Sequence, residues 1–396
     1  MQKTEIINIK FNKEIDNQAF LSKNLYNYAN YLIRQEFITN KKWIRYYQLN
    51  DLCKNNENYK LLPAQTSQQL LRILDKNWKS FFKAIKDWKK YPEKYLGKPK
   101  LPKYKNKTNG RNILIYPFQN LRIKDGYINI PKTNYSFKVR DKINNINQIR
   151  IIPQHSVYKI EIIYTINLME MNDEIKNILS IDLGVNNFVA SFNNLGLNPL
   201  IINGRNMKSI NQFYNKKRSK LISTLTIKND IHWSKKLGKL TIKRNNKLND
   251  FFHKTSKYLV DYCINNKIDT VIIGYNKTWK QNVNMKNKSN QNFTFISFLK
   301  FVNMLDYKLF ENGIKLIKTE ESYTSKIDHL ANESMKHHEK YLGKRIKRGL
   351  FKSSTGKIIN ADINGAIGIF RKVAEKWLMP YSVEDLVFNP IKINIF

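Results

Sequence analysis

NILSIDLGVNNFVASFN, residues 177–193, is the stretch whose reading decides the fold. Ile178, Leu179, Ile181 and Leu183 make an apolar run of strand length, and NNFVASFN reads as a second strand after a tight turn at Gly184. Asp182 stands inside the first strand. A carboxylate there needs compensation by a cation, a partner or hydrogen bonds. It could also simply cap the turn at Gly184.

The pattern continues outward as alternating α and β. Residues 207–266 read as long basic helices, with Phe251, Phe252, Tyr258, Leu259 and Tyr262 on one side. IDTVIIGY (268–275) is a buried strand. FTFISFLKFVNMLDYKLFENG is a helix stopped by Gly313, and IKLIKTE (314–320) is a further strand. Residues 327–359 read as irregular and basic, and ADINGAIGIFRKVAEKW as a last helix. Two more acidic positions fall at element ends: Glu320 and Glu321 in EESYTSK, and Asp362 in the first turn of the last helix. Each has a bland reading alone, as a solvated strand end or an acid favoured by a helix N-terminus. Together they match an RNase H-like arrangement. Three carboxylates on rigid element ends can supply hard oxygen ligands to two divalent metals and cut a phosphodiester.

Upstream the periods differ. Residues 3–11 alternate as a strand. Residues 14–49 read as one helix on a rough 3.6 period. Residues 64–90 follow Pro63 as a second, with Leu70, Leu71, Leu74, Trp78, Phe81 and Phe82 in its stripe and Ser67 as a candidate cap. Residues 89–107 are a basic, aromatic-laced segment, either a solvated linker or an arm that tracks a nucleic acid strand. From 111 to 169 the period becomes two, with a hairpin turn at Asp125-Gly126. This reads as a small β-barrel or sandwich that the 3–11 strand joins, making 14–105 an insertion.

Composition narrows the function. Lys and Arg number 70 against 31 Asp and Glu, for a net charge of +39 spread along the chain. Such an excess binds polyanions avidly. AT-biased coding explains the preference for Lys over Arg but not the scarcity of acids. The 396 residues suffice for two or three domains. Two distant cysteines, Cys53 and Cys263, imply neither a disulfide framework nor a four-cysteine zinc site. The N-terminus has no signal-peptide core, and no run of eighteen apolar residues would span a membrane. A cytoplasmic protein, held to the nucleoid through DNA, is the expectation.

SIDLGVNNFVA, DFFHKTSKYLV, VIIGYNKTWKQ, EESYTSK, LGKRIKRGLF and INADINGAIGIFRK resemble, in order, blocks of the TnpB (OrfB) family. These are transposon-encoded RNA-guided RuvC-type endonucleases related to type V CRISPR effectors. The likeness covers roughly residues 176–375. It implies an α/β RuvC-like nuclease domain over 173–326 and 358–380, with a helical insertion at about 207–266. It further implies a β wedge domain, 1–13 and 106–172, interrupted by a helical recognition lobe at 14–105. Residues 327–357 form a basic nucleic-acid-contacting insertion and 381–396 a C-terminal tail. The expected activity is magnesium-dependent cleavage of DNA at one RuvC site with a two-metal centre. The expected partners are a guide RNA made from the transposon end and double-stranded target DNA bearing a short adjacent motif.

On this resemblance Asp182, Glu321 or Glu320, and Asp362 are the catalytic carboxylates, with Asp182, Glu321 and Asp362 the metal ligands. Trp279, Lys280, Gln281, Tyr323, Thr324, Lys326, Lys344, Arg345, Lys347, Arg348 and Arg371 are candidate nucleic-acid contacts. Two departures stand out. Most relatives carry a Glu near the end of the strand VIIGYN, where this chain has Gly274. A carboxylate from the neighbouring strand, Glu321 ahead of Glu320, is the expected substitute. The alternative is a guided DNA-binding repressor that has lost cleavage. Relatives also carry two CxxC pairs, but residues 322–361 contain no cysteine. His329, His337 and His338 lack zinc-site spacing, so no structural zinc is expected.

Overall fold

In the computed structural model of the chain, which describes residues 1–140, 143–154, 157–167, 175–229, 233–275, 294–374 and 389–395, the alternating N-terminal run forms β1 (Gln2–Ile9). The chain divides into two units, Met1–Asn167 and Leu168–Phe396.

In the first unit, α1 (Lys13–Asn40) starts where the Asn12 side chain accepts from the Ile15 N–H, 3.0 Å. The single helix expected over 14–49 is in fact two. Lys41 adopts a left-handed conformation (φ 56°) and closes the turn on the Phe37 carbonyl, and α2 (Tyr46–Cys53) begins afresh. After α3 (Glu57–Leu61), α4 (Ala64–Lys90) occupies the expected span. Ser67 does not cap it. Ser67 lies within the helix and donates to the Tyr59 carbonyl.

The strands β2 (Leu114–Pro117), β6 (Ile146–Gln154) and β7 (Val157–Thr165) join β1 in an antiparallel sheet of order β1-β7-β6-β2. The short strands β3 (Arg122–Lys124), β4 (Tyr127–Asn129) and β5 (Ser136–Lys138) form a separate meander. Its first turn is Asp125-Gly126, with φ of 51° and 73°. The expected barrel is not closed among the described residues. Helix α1 takes up backbone groups beside β2 instead: the Ala19 carbonyl accepts from the Asn112 N–H, and Ser22 Oγ donates to the Ile113 carbonyl. One apolar core runs from the helices into the sheet. It includes the fully buried Leu25, Ile33, Leu71, Leu74, Trp78, Ile149, Ile151, Ile160 and Ile162. Each fully buried aliphatic contributes about 1.5–3 kcal/mol. Trp78 Nε1 finds its acceptor in Asn30 Oδ1 at 3.0 Å.

In the second unit, six strands make a mixed sheet of order β12-β11-β8-β9-β10-β16. These are β8 (Ile178–Leu183), β9 (Asn187–Asn193), β10 (Leu200–Asn203), β11 (Thr270–Gly274), β12 (Lys315–Thr319) and β16 (Ile391–Ile393). β8, β9 and β10 meander antiparallel, while β11 and β12 continue parallel to β8. Helices α5 (Arg205–Asn229) and α6 (Lys235–Asn265) realise the long basic stretch. Phe251, Phe252 and Leu259 of α6, with Phe298, Phe301 and Val302 of α7 (Phe298–Phe310), pack on Leu179, Ile181, Phe188 and Ile273. Ile178, Ala190, Phe192 and Ile272 belong to a second core with Ile363, Ala366, Ile367 and Phe370 of α8 (Ala361–Ala374). The expected irregular stretch at 327–359 holds a small antiparallel sheet: β13 (Lys344–Lys347), β14 (Leu350–Lys352) and β15 (Ile358–Asn360). Among the described residues no helix is long and apolar enough to cross a membrane.

Candidate active site

Three expected carboxylates meet at one end of the second sheet. Asp182 is the penultimate residue of β8, paired opposite Ala190. Asp362 stands in the first turn of α8, whose start is capped by Asn360 Oδ1 accepting from the Asp362 N–H at 2.9 Å. Ser180 Oγ donates to the Ala366 carbonyl at 2.7 Å and pins α8 to β8. Gly365 permits this approach, because a Cβ there would stand 2.5 Å from Asp182 Oδ2. Both oxygens of Asp362 accept from the chain: Oδ2 from Asn187 Nδ2 at 2.8 Å, Oδ1 from Arg345 Nη2 at 3.3 Å.

Glu321 arrives from the strand next door. β12 runs parallel to β11 with Thr319 opposite Gly274, so the chain leaving β12 passes beside that glycine. A Cβ at position 274 would lie 2.3 Å from Glu321 Oε1, 2.6 Å from its Cγ and 2.6 Å from Ile369 Cδ1. The Glu321 carboxylate thus fills the volume that a side chain at 274 would enter. Local hydrogen bonds hold the backbone on either side of it. Lys372 of α8 donates to the Glu320 carbonyl (3.0 Å) and to Ser322 Oγ (2.9 Å), one on each side of Glu321. The Thr324 N–H and Oγ1 both donate to the Glu321 carbonyl. Glu320 itself is exposed.

The electrostatics follow from this convergence. Burial pushes the Asp182 carboxyl well above its usual range, and the negative charges of Glu321 and Asp362 push it further. Arg345 and the Leu183 N–H oppose the shift. A carboxylate whose ionised form is disfavoured in the fold lowers stability as pH rises, because the native state then holds a proton that the unfolded chain releases. Asp182→Asn should therefore raise the melting temperature of the protein in a chelator at neutral pH, by about 2–5 °C. A variant that melts below the wild type would refute the crowding of charge.

The oxygen donors suit a hard divalent cation, and the glycines at 274 and 365 leave the carboxylates room that a Cβ would take. As the side chains stand, no group of three His, Cys, Asp or Glu among the described residues is spaced to hold a metal ion.

The candidate nucleic-acid contacts separate. Lys344, Arg345, Lys347 and Arg348 are exposed on and beside β13. Tyr323 is exposed in a left-handed conformation, φ 66°. Lys326 is exposed, its ammonium over the Tyr341 ring at 5.9 Å. Two expectations are corrected. Thr324 is buried, occupied by its bonds to Glu321. Arg371 is also buried, donating through Nη1 to the Glu333 carbonyl (3.0 Å) and contacting His329 Nδ1 (3.2 Å). The i+4 rhythm of α8 turns Arg371 inward with Ile363 and Ile367. Trp279, Lys280 and Gln281 lie outside the described residues.

Between β12 and α8, a carboxylate-centred knot organises the chain. Asp328 Oδ2 accepts from Ser353 Oγ, the Ser354 N–H and Ser354 Oγ at 2.7–2.9 Å, and Glu333 accepts from the N–H groups of Asp328 and Leu342. His329, buried beside it, bonds the Thr324 carbonyl, and burial pulls its imidazole down to about 4. His338 bonds Ser334. Sequence reading missed Asp328, Glu333, Ser353 and Ser354, as it missed Asn187 and Asn360 around Asp362. The signal available for the last two was their positions: Asn187 opening the strand after the hairpin turn, Asn360 two residues before Asp362.

Residues 155–280 match the family OrfB_IS605, described as a probable transposase. Over that stretch, about a third of the chain, the sequence is similar to the OrfB (TnpB) family. Residues 298–369 match the TNB domain of the Cas12f1-like type, a stretch that runs across α7, the small sheet and most of α8. No curated protein matches it. Among solved structures, the chain is similar to a Cas12f1 in complex with sgRNA and target DNA: TM-score 0.56 and 17% identity over 91% of this chain and 83% of that one. That likeness speaks to the fold alone. A CRISPR-Cas12f ternary complex (TM-score 0.36, 16% identity, 90% and 80% covered) and a CasPhi-2 (Cas12j) bound to crRNA and phosphorothioate-DNA (TM-score 0.43, 9% identity, 94% and 91% covered) are more distant.

Proposed function

We propose that this protein is an OrfB-type, transposon-encoded, RNA-guided DNA endonuclease whose single RuvC-type site is built on Asp182, Glu321 and Asp362. The observation that carries the reading is the placement of the Glu321 carboxylate in the volume beside Gly274. The expected substitute for the missing glutamate thereby lies in the negative field of Asp182. The glycine had opened the reading of a cleavage-deficient repressor, and this placement weighs against it.

Asp182, Glu321 and Asp362 would hold magnesium. Bound as a pair, these ions would supply Lewis-acid stabilisation of charge on the phosphate and on the oxygens entering and leaving it. The chain's own part is positional. β8 and α8 present Asp182 and Asp362 from rigid elements, and the Lys372 clamp holds the backbone around Glu321. Asn187 orients one Asp362 oxygen. Arg345 neutralises the other at 3.3 Å, a weak contact that can be exchanged. Lys344, Lys347 and Arg348 offer phosphate contacts without base preference. The β and helical parts of the first unit are the proposed guide-binding scaffold, with sequence read by base pairing.

Two measurements test this. Purified protein should carry one RNA species of defined length. Supplied with a matching target, it should cut DNA only with magnesium present. RNA-free protein that cuts indiscriminately would overturn guidance, and guided binding without a cut at any magnesium concentration would overturn the nuclease.

A further inference from the structure

Resting on the reading of Asp362 as part of a phosphodiester-cutting centre, we propose that the end of β10, the start of α5 and the C-terminal strand β16 form a docking wall for the phosphate backbone of the cleaved DNA strand. A cleft of about 610 Å³ opens beside Asp362. Arg345 and Arg348 line it from the small sheet. Asn203, Arg205, Lys392 and Asn394 line it from the β10–β16 edge. Among the described residues Asp362 is the sole acid in the lining, against four cations drawn from three stretches far apart in sequence.

The wall is built rather than accidental. β16 pairs parallel with β10 in the register Leu200–Ile391, Ile201–Lys392, Ile202–Ile393, anchored by the Ile391 N–H on the Pro199 carbonyl at 2.8 Å. Asn203 Nδ2 donates to Asn394 Oδ1 at 2.9 Å, and Asn203 Oδ1 accepts from the Arg205 N–H at 3.0 Å. One asparagine thus ties both halves. Covering the edge of β10 would need only the backbone of β16. It would not need a lysine and an asparagine in the cleft.

The charges are available. Arg345 spends its charge on Asp362, whereas Arg205, Arg348 and Lys392 are exposed and make no salt bridge among the described residues. The volume, about 610 Å³, suits a few nucleotides of single strand. The occupant is assigned as the strand being cut because the cleft runs to Asp362, which a guide RNA has no need to approach.

The test uses full-length protein in chelator, with single-stranded DNA of about ten nucleotides carrying 4-thiothymidine. Irradiation should crosslink the DNA to peptides containing 391–394 and 345–350. In the Arg205→Gln, Arg348→Gln double variant the yield at 391–394 should fall about tenfold, while crosslinks in the first unit persist and serve as the control for folding. No crosslink at 391–394, or a yield there indifferent to the double substitution, would overturn the wall. An RNA of the same sequence crosslinking there more strongly than the DNA would overturn the assignment of its occupant. The readout needs neither a guide nor a cut, so a wild type that fails to cleave would sink the nuclease reading and leave this result standing.

Discussion

Glu321→Gln should lower magnesium-dependent cleavage of a guided target by about 10³-fold or more, while Glu320→Gln should stay within a few-fold of wild type. The size follows from the work asked of the residue. A carboxylate holding a catalytic divalent ion carries several kcal/mol of transition-state stabilisation, and about 4 kcal/mol is a factor of about 10³. The amide keeps the shape and the hydrogen bonds to the Glu321 backbone but is a poorer, neutral donor. The contrast follows from position. Asp182 is influenced by Glu321 and Asp362, and Glu320 is not among its neighbouring charges. Glu320 points its backbone carbonyl to Lys372 and keeps its side chain exposed. Single-turnover cleavage of preassembled complexes gives the two rates. Guided binding without cleavage should be retained by both variants, which separates lost chemistry from lost assembly. Equal rates for Glu320→Gln and Glu321→Gln would remove Glu321 from the site.

The second unit was legible because its signals are local and redundant. The apolar runs at 178–183 and 270–274 have no use outside a buried sheet, and the α8 stripe of Ile363, Ala366, Ile367 and Phe370 keeps a clean helical period. Asp182 was legible because a charge in such a run demands a reason. Three things were not legible. The break at Lys41 rests on one left-handed residue that is neither glycine nor asparagine, so no local composition announces it. The open first sheet depends on α1 taking up backbone groups beside β2, a contact between residues about 90 apart. Strand β16 is three residues long, and pairing with β10 gives it a role that its own pattern does not declare. Arg371 shows the same limit. A basic residue on a basic protein reads as a phosphate contact until the turn of the helix and the Glu333 carbonyl are in place.

Gly274 gives the sharpest test of the relocated carboxylate. Gly274→Ala adds one methyl group to a buried strand, a change that normally favours a strand on propensity and entropy grounds. Here its carbon would stand 2.3 Å from Glu321 Oε1 and 2.6 Å from Ile369 Cδ1, inside any tolerable contact. Ile369 is fully buried in the core of α8, so the carboxylate is the group that must move. A shift of about 1 Å at a reacting centre costs on the order of 10²-fold. Cleavage by Gly274→Ala should therefore fall about 10²-fold, with guided binding intact. The complementary construction restores it. The 2.3 Å from position 274 to the present oxygen is about the reach of an aspartate oxygen from its own Cβ, two bonds of about 1.5 and 1.2 Å. Gly274→Asp combined with Glu321→Ala would place a carboxylate oxygen where Glu321 has one now and move the acid onto β11. That pair should cut at least about tenfold faster than Glu321→Ala alone. If the pair is as inactive as the single variant while Gly274→Ala cuts normally, the volume beside Gly274 is not where the third carboxylate works.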